Sequence, residues 1–138
     1  MNKVTFCILV TTLLINISCG GHKNIKTINN YQVNEVVYFK FDRYAVDNTY
    51  QDILNKHIAY LKQNKHAVII LEGHTDQTGT DTYNLDLGDK RARAVQAYLI
   101  AAGINPRQIV VVTFGEQLPK DKHKLRLNRR VEFKSVKD

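Results

Sequence analysis

Val68-Ile69-Ile70-Leu71-Glu72-Gly73-His74-Thr75-Asp76-Gln77-Thr78-Gly79 is the stretch whose reading decides the fold. Its first four residues are a short apolar run, half of it β-branched and closed soon after by Gly73, which is the pattern of a buried strand. From about Thr82 the period changes to that of a helix, with Leu87, Ala94, Val95, Tyr98, Leu99 and Ala102 at helical spacing. Gly103 is the expected C-terminal stop and Asp81 the expected N-cap. Asp76 therefore falls in a strand-to-helix loop.

Working outward, Val37, Phe39 and Phe41 alternate with Tyr38 and Lys40 as a first strand. Tyr50, Ile53, Leu54, His57, Ile58 and Leu61 mark an amphipathic helix, with His57 on its apolar side as a packed histidine. Asn105-Pro106 turns the chain into a strand over Ile109 to Phe114, and Val131 and Phe133 alternate with Glu132 and Lys134 in a last one. The order β-α-β-α-β-β predicts an α+β fold with its helices packed on one face of a small mixed sheet. Residues 33–138, about 105 in number, suffice for one core but not two.

The chemistry gathers on the loop and the helix after it. Asn84, Gly88 and Arg91 share one helical stripe, with Gly88 expected to leave a notch between its neighbours. Arg91 borders the apolar side, and a guanidinium held there needs acceptors, because a partly buried, unpaired charge costs several kcal/mol. Asp76 could supply one and a ligand carboxylate another. Alternatively, Asp76 and Arg91 pair only with each other and the glycines only turn the chain.

The string Gly73-His74-Thr75-Asp76 with Gly79, Asn84, Leu87, Arg91-Ala92 and Asn128-Arg129-Arg130-Val131 closely resembles the OmpA-like peptidoglycan-binding domain, in particular its peptidoglycan-associated lipoprotein group. The resemblance runs from about Val33 onward. It implies an OmpA C-terminal-like fold, no catalysis, no cofactor, and a pocket for the meso-diaminopimelate residue of the peptidoglycan stem peptide. It further implies that Asp76 takes the ligand's ammonium group and Arg91 its carboxylate, with Asp42, Thr75, Asn84 and Arg129 as further pocket positions. The residue types suit these roles: a carboxylate accepts from an ammonium, and a planar guanidinium grips a carboxylate in a two-bond fork. Members of the group also bind a TolB-like periplasmic β-propeller protein. Two features depart from the family pattern. Gly88 stands where serine is common. The segment between Gly115 and Asn128 is short and basic, with Lys120, Lys122, His123, Lys124 and Arg126 against a lone Asp121, which is expected to be a solvated loop.

The amino end indicates an address. Lys3 precedes an apolar segment from Val4 to Ile17 that ends at Ser18-Cys19-Gly20, too short for a bilayer span, which needs about 20 residues, but with the regions of a secretory signal. Cys19 directly after Ser18 resembles a bacterial lipoprotein cleavage site, which implies a signal over residues 1–18 and acylation of the Cys19 thiol; Asn16 departs from the aliphatic residue usual three places before that cysteine. Cys7 would leave with the signal, so no disulfide forms within the mature chain. Gly20 is not the aspartate that favours inner-membrane retention in similar lipoproteins, so the expected location is the outer membrane, facing the periplasm. Residues 19–32, rich in Gly, Asn and Lys, form a tether reaching on the order of 45 Å when stretched.

The formal net charge of +7 invites a nucleic-acid reading. No stripe of aromatic and basic residues forms a stacking platform, and an exported protein would not meet nucleic acid, so attraction to anionic wall or lipid accounts for the charge. An enzyme reading would use His74 and Asp76 as metal ligands or as an acid–base pair. No HExxH, no further ligand cluster and no nucleophile with a base accompanies them, and His74 is expected to brace its loop by hydrogen bonds.

Overall fold

The apolar run that opens the deciding stretch becomes the central strand of the computed structural model, which describes residues 35–136. Strands β1 (Val36–Tyr38), β2 (Ile69–His74), β3 (Ile109–Gly115) and β4 (Arg130–Ser135) alternate with helices α1 (Gln51–Gln63) and α2 (Asp81–Ala101) in the expected order β-α-β-α-β-β. The sheet order is β1-β4-β2-β3, with β2 parallel to β3 and β4 antiparallel to both β1 and β2. The proposed signal and tether, Cys19 included, lie outside the described residues.

Register explains why both helices share one face. Phe133 faces Leu71 and Val131 faces Gly73 across the β4–β2 ladder, so these four residues point the same way. The α1 residue His57 stacks on Phe133 at 3.8 Å, while α2 lies against Gly73 through Gly88 and Ala92. Val37, Leu54, Leu61, Ile69, Leu71, Val95, Leu99, Val131 and Phe133 are all essentially inaccessible to solvent and fill the space between. Loss of water from these side chains, roughly 1.5–3 kcal/mol each, drives the assembly.

Three local expectations are corrected. The first strand ends at Tyr38, and Phe41, expected inside, is 59% exposed. The chain leaves the sheet after Phe39, whose N–H donates to the Arg129 carbonyl, and turns through Asp42 in the left-handed region (φ 53°), which aspartate tolerates better than most residues. The N-cap of α2 is Thr80, not Asp81: Thr80 is extended and its hydroxyl accepts from the Tyr83 N–H at 3.2 Å. Asp81 becomes the first helical residue, where its charge complements the helix dipole. Gly88 forms no notch. A Cβ there would overlap the Thr113 hydroxyl and lie 3.1 Å from the Gly73 carbonyl, so Gly73 and Gly88 let α2 and β2 meet backbone to backbone. At the far end of α2 the expected stop holds. Gly103 (φ 89°) donates to the Ile100 carbonyl and Ile104 to that of Leu99, closing a Schellman motif.

Candidate functional site

The loops at the carboxyl ends of β1 and β2 meet the amino end of α2 around a cleft of about 230 Å³, counting its open mouth. Asp42, Thr75, Asp76, Asn84 and Arg91, five of the six expected pocket residues, line it, together with Phe41 and Tyr83. The sixth, Arg129, joins from β4's approach by an ion pair to Asp76, Nη1 to Oδ2 at 3.1 Å. Its Nε donates to the Phe39 carbonyl at 3.2 Å, which fixes the fork.

That ion pair corrects one expectation. Asp76 is held by Arg129 and not by Arg91. Arg91 is fully buried, and its guanidinium donates to three backbone carbonyls: Nε to Arg43 at 2.9 Å, Nη1 to His74 at 2.9 Å and Nη2 to Lys40 at 3.3 Å. It thereby ties α2 to the loops after β1 and β2, with the ring of Phe39 beneath it at 5.4 Å. Burial lowers its pKa to about 10 against the attraction of Asp76, so it stays cationic at neutral pH. For Asp76, burial pushes the carboxyl upward, but the Thr78 backbone N–H at 2.9 Å and the Arg129 guanidinium outweigh this and hold it below the usual carboxylate range. A buried carboxylate and a buried guanidinium thus face one cleft without neutralising each other directly.

His74 does not brace the loop with its ring. Both ring nitrogens are buried without a hydrogen-bond partner among the described residues, and the ring stacks on Phe114 at 5.5 Å. Its carbonyl does the bracing, by accepting from Arg91. Burial drives the His74 pKa down to about 4, so the ring is neutral near pH 7.

Two buried oxygens in the cleft, Thr75 Oγ1 and Asn84 Oδ1, also have no partner among the described residues. Leaving such atoms dry and unpaired costs about 1–3 kcal/mol each, so they mark where a polar ligand completes the hydrogen bonding. The Asn84 amide nitrogen donates to Glu116, which brings the segment after β3 to the rim.

Tyr83, Thr78 and Glu116 were not anticipated. The Tyr83 hydroxyl donates to Asp42 Oδ1, which holds Asp42 over the cleft and raises the tyrosine pKa. The only signal in the chain was its position three residues after a capping threonine and one before Asn84. The basic segment is a loop, as expected, apart from one 3₁₀ turn at Leu125–Leu127. Buried Asn128 organises it, accepting from the Lys120 and Asp121 N–H groups at 2.8 and 2.9 Å and donating to the Asp121 carbonyl at 2.7 Å. Lys122 and Lys124 are left exposed. Among the described residues no cluster of three or more His, Cys, Asp or Glu side chains could hold a metal, and no helix is long and apolar enough to cross a membrane.

This sheet order, with both helices on one face and an acid and a base set apart around the β2–α2 loop, defines an OmpA-like α+β domain. The chain belongs to the OmpA family, whose sequence pattern matches residues 38–132. It is 35% identical to the peptidoglycan-associated lipoprotein of Pasteurella multocida over 86% of this chain and 87% of that one. It is 36% identical to that of Haemophilus influenzae over 75% and 72%. The crystal structure of the peptidoglycan-associated lipoprotein from Burkholderia pseudomallei superposes with a TM-score of 0.71 at 38% identity, covering 73% of this chain and 89% of that one. The C-terminal domain of Helicobacter pylori MotB shares the fold at 24% identity, with a TM-score of 0.66 over 75% and 85%.

Proposed function

We propose that this chain binds peptidoglycan without catalysis, through the diaminopimelate of the stem peptide, and that acylated Cys19 ties it to the outer membrane, so that membrane and wall are linked mechanically. The observation that carries the reading is the pair of buried, unsatisfied oxygens on Thr75 and Asn84 between a carboxylate and a guanidinium. The names of the relatives point the same way.

A free amino acid end offers an ammonium and a carboxylate a few ångströms apart. Asp76 spends one acceptor site on Thr78 and one on Arg129, out of about four, and the rest can receive the ammonium. Thr75 Oγ1, Asn84 Oδ1 and Asp42 supply neutral and anionic acceptors around it. Arg91 uses three of its five N–H donors on backbone carbonyls, and two remain for the ligand carboxylate. Because those carbonyls hold the guanidinium in place, little side-chain entropy is lost on binding. The same resemblance gives the anchored domain a TolB-like β-propeller as protein partner.

The test is competition. Free meso-diaminopimelate should displace the protein from isolated sacculi, and the analogue amidated at the contacting carboxylate should do so poorly, while the sacculi stay intact and chelators change nothing. Equal competition by both compounds, or release of soluble wall fragments, would contradict the proposal.

A further inference from the structure

The two ends of the sheet carry different charge. Tyr38 and His74 both pair with Arg130, which places the ends of β1 and β2 together on the side of the cleft. The chain enters β1 from Glu35, and Ile69, Ile109 and Ser135 pair at the opposite end. At that opposite end the turn after α1 and the turn before β3 are locked into one surface by Gln108, whose amide donates to the carbonyls of Leu61, Asn64 and Ala67 at 3.2, 2.9 and 3.1 Å. Lys62, Lys65 and Arg107 stand exposed on it, and no ion pair among the described residues engages them. No aspartate or glutamate occurs in residues 60–69, 101–109 or 134–136, whereas Asp42, Asp76, Asp81, Glu116 and Asp121 crowd the cleft end. Between the turn after α1 and the end of β4 opens a cleft of about 950 Å³ bordered by Lys65, His66 and Ser135.

We infer that this basic end is a docking surface for anionic lipid head groups. Its charge is of one sign, the Gln108 clamp presents it on a rigid frame, and the 34 residues outside the described region leave the domain on its side of the molecule. The phosphates of a lipid layer supply the acceptors that Lys62, Lys65 and Arg107 lack in the protein. Docked this way, the domain points its Asp76/Arg91 cleft away from the lipid. The surface acts whether or not Cys19 is acylated; a short tether would add only effective concentration.

The test floats the full-length protein with vesicles of phosphatidylcholine alone or of phosphatidylcholine mixed with phosphatidylglycerol. The apolar segment Val4 to Ile17 binds both kinds alike, so only the difference between them is read. At low salt the anionic vesicles should capture the wild type at least tenfold better, on the order of fivefold for each basic side chain at the surface. High salt should erase the preference. Lys62→Gln/Lys65→Gln/Arg107→Gln should abolish it, and Lys90→Gln/Lys122→Gln/Lys124→Gln, which removes the same charge elsewhere, should keep it. Equal capture by both vesicles, or equal loss in the two triple variants, would overturn the inference.

Discussion

Gly73→Ala puts the packing logic under the heaviest load. The added methyl would stand 2.6 Å from the Gly88 carbonyl carbon, closer still to its oxygen, and 3.3 Å from the Ala92 Cβ. Carbon atoms rest at about 3.5–4.0 Å, so α2 must withdraw by roughly 1 Å along the seam that seats Leu87, Ala92 and Val95. The obstacle is backbone, which cannot rotate away, and the cost should reach the upper end of overpacking, about 3 kcal/mol. For a domain of this size that lowers Tm by about 12–24 °C. Gly88→Ala meets the Thr113 hydroxyl instead, which can turn aside by giving up its bond to the Leu85 carbonyl at 3.0 Å, so its loss should be nearer about 1–2 kcal/mol. Thermal melts followed by circular dichroism compare the three proteins. A Gly73→Ala protein that melts with the wild type, or later than Gly88→Ala, would refute the backbone-contact reasoning.

Stability should fall on acidification before any carboxylate titrates. Burial holds His57 and His74 neutral with pKa values of about 4, below the ordinary 6.5, so between those values the unfolded chain binds more protons and stability rises with pH. From pH 7 to pH 5 the two together should lose about 3–4 kcal/mol, read as a lower urea midpoint, and coincident midpoints would refute this. Glu132, held near 2 against burial by Lys134 and Arg130, and Asp76 add losses only below about pH 4. At the amino end, the wild type should incorporate labelled fatty acid and fractionate with outer membrane, and Cys19→Ala should do neither; a soluble, unlabelled wild type would identify Asn16 as the sign that the lipoprotein reading is wrong.

The elements were legible because their periods are strong and their punctuation is local. Gly103 and Pro106 close α2 and open β3 where the residue types say they should. The contents of the site were legible through one loop and one helical stripe, which put Thr75, Asp76, Asn84 and Arg91 together. Their pairing was not. Arg129 lies 53 residues from Asp76, and Tyr83 lies 41 from Asp42, so only the sheet order brings them into reach. Gly88 was misread for a related reason: a glycine on a helix looks like open space until the strand that fills it, carrying Gly73, is placed against it. Phe41 failed alternation because the site needs the chain to leave the sheet early and turn at Asp42.

The most direct measurement is the affinity of folded Asp76→Ala and Arg91→Ala for isolated sacculi, taken beside their melting temperatures. Charge-assisted hydrogen bonds contribute about 1.5–3 kcal/mol each, so each variant should bind at least about tenfold more weakly. Arg91→Ala should also melt lower, because it leaves three backbone carbonyls without their donor, while Asp76→Ala frees mainly the exposed side of Arg129 and should lose affinity with less loss of Tm. Folded variants that both bind sacculi as tightly as the wild type would contradict the assignment of this cleft to the wall.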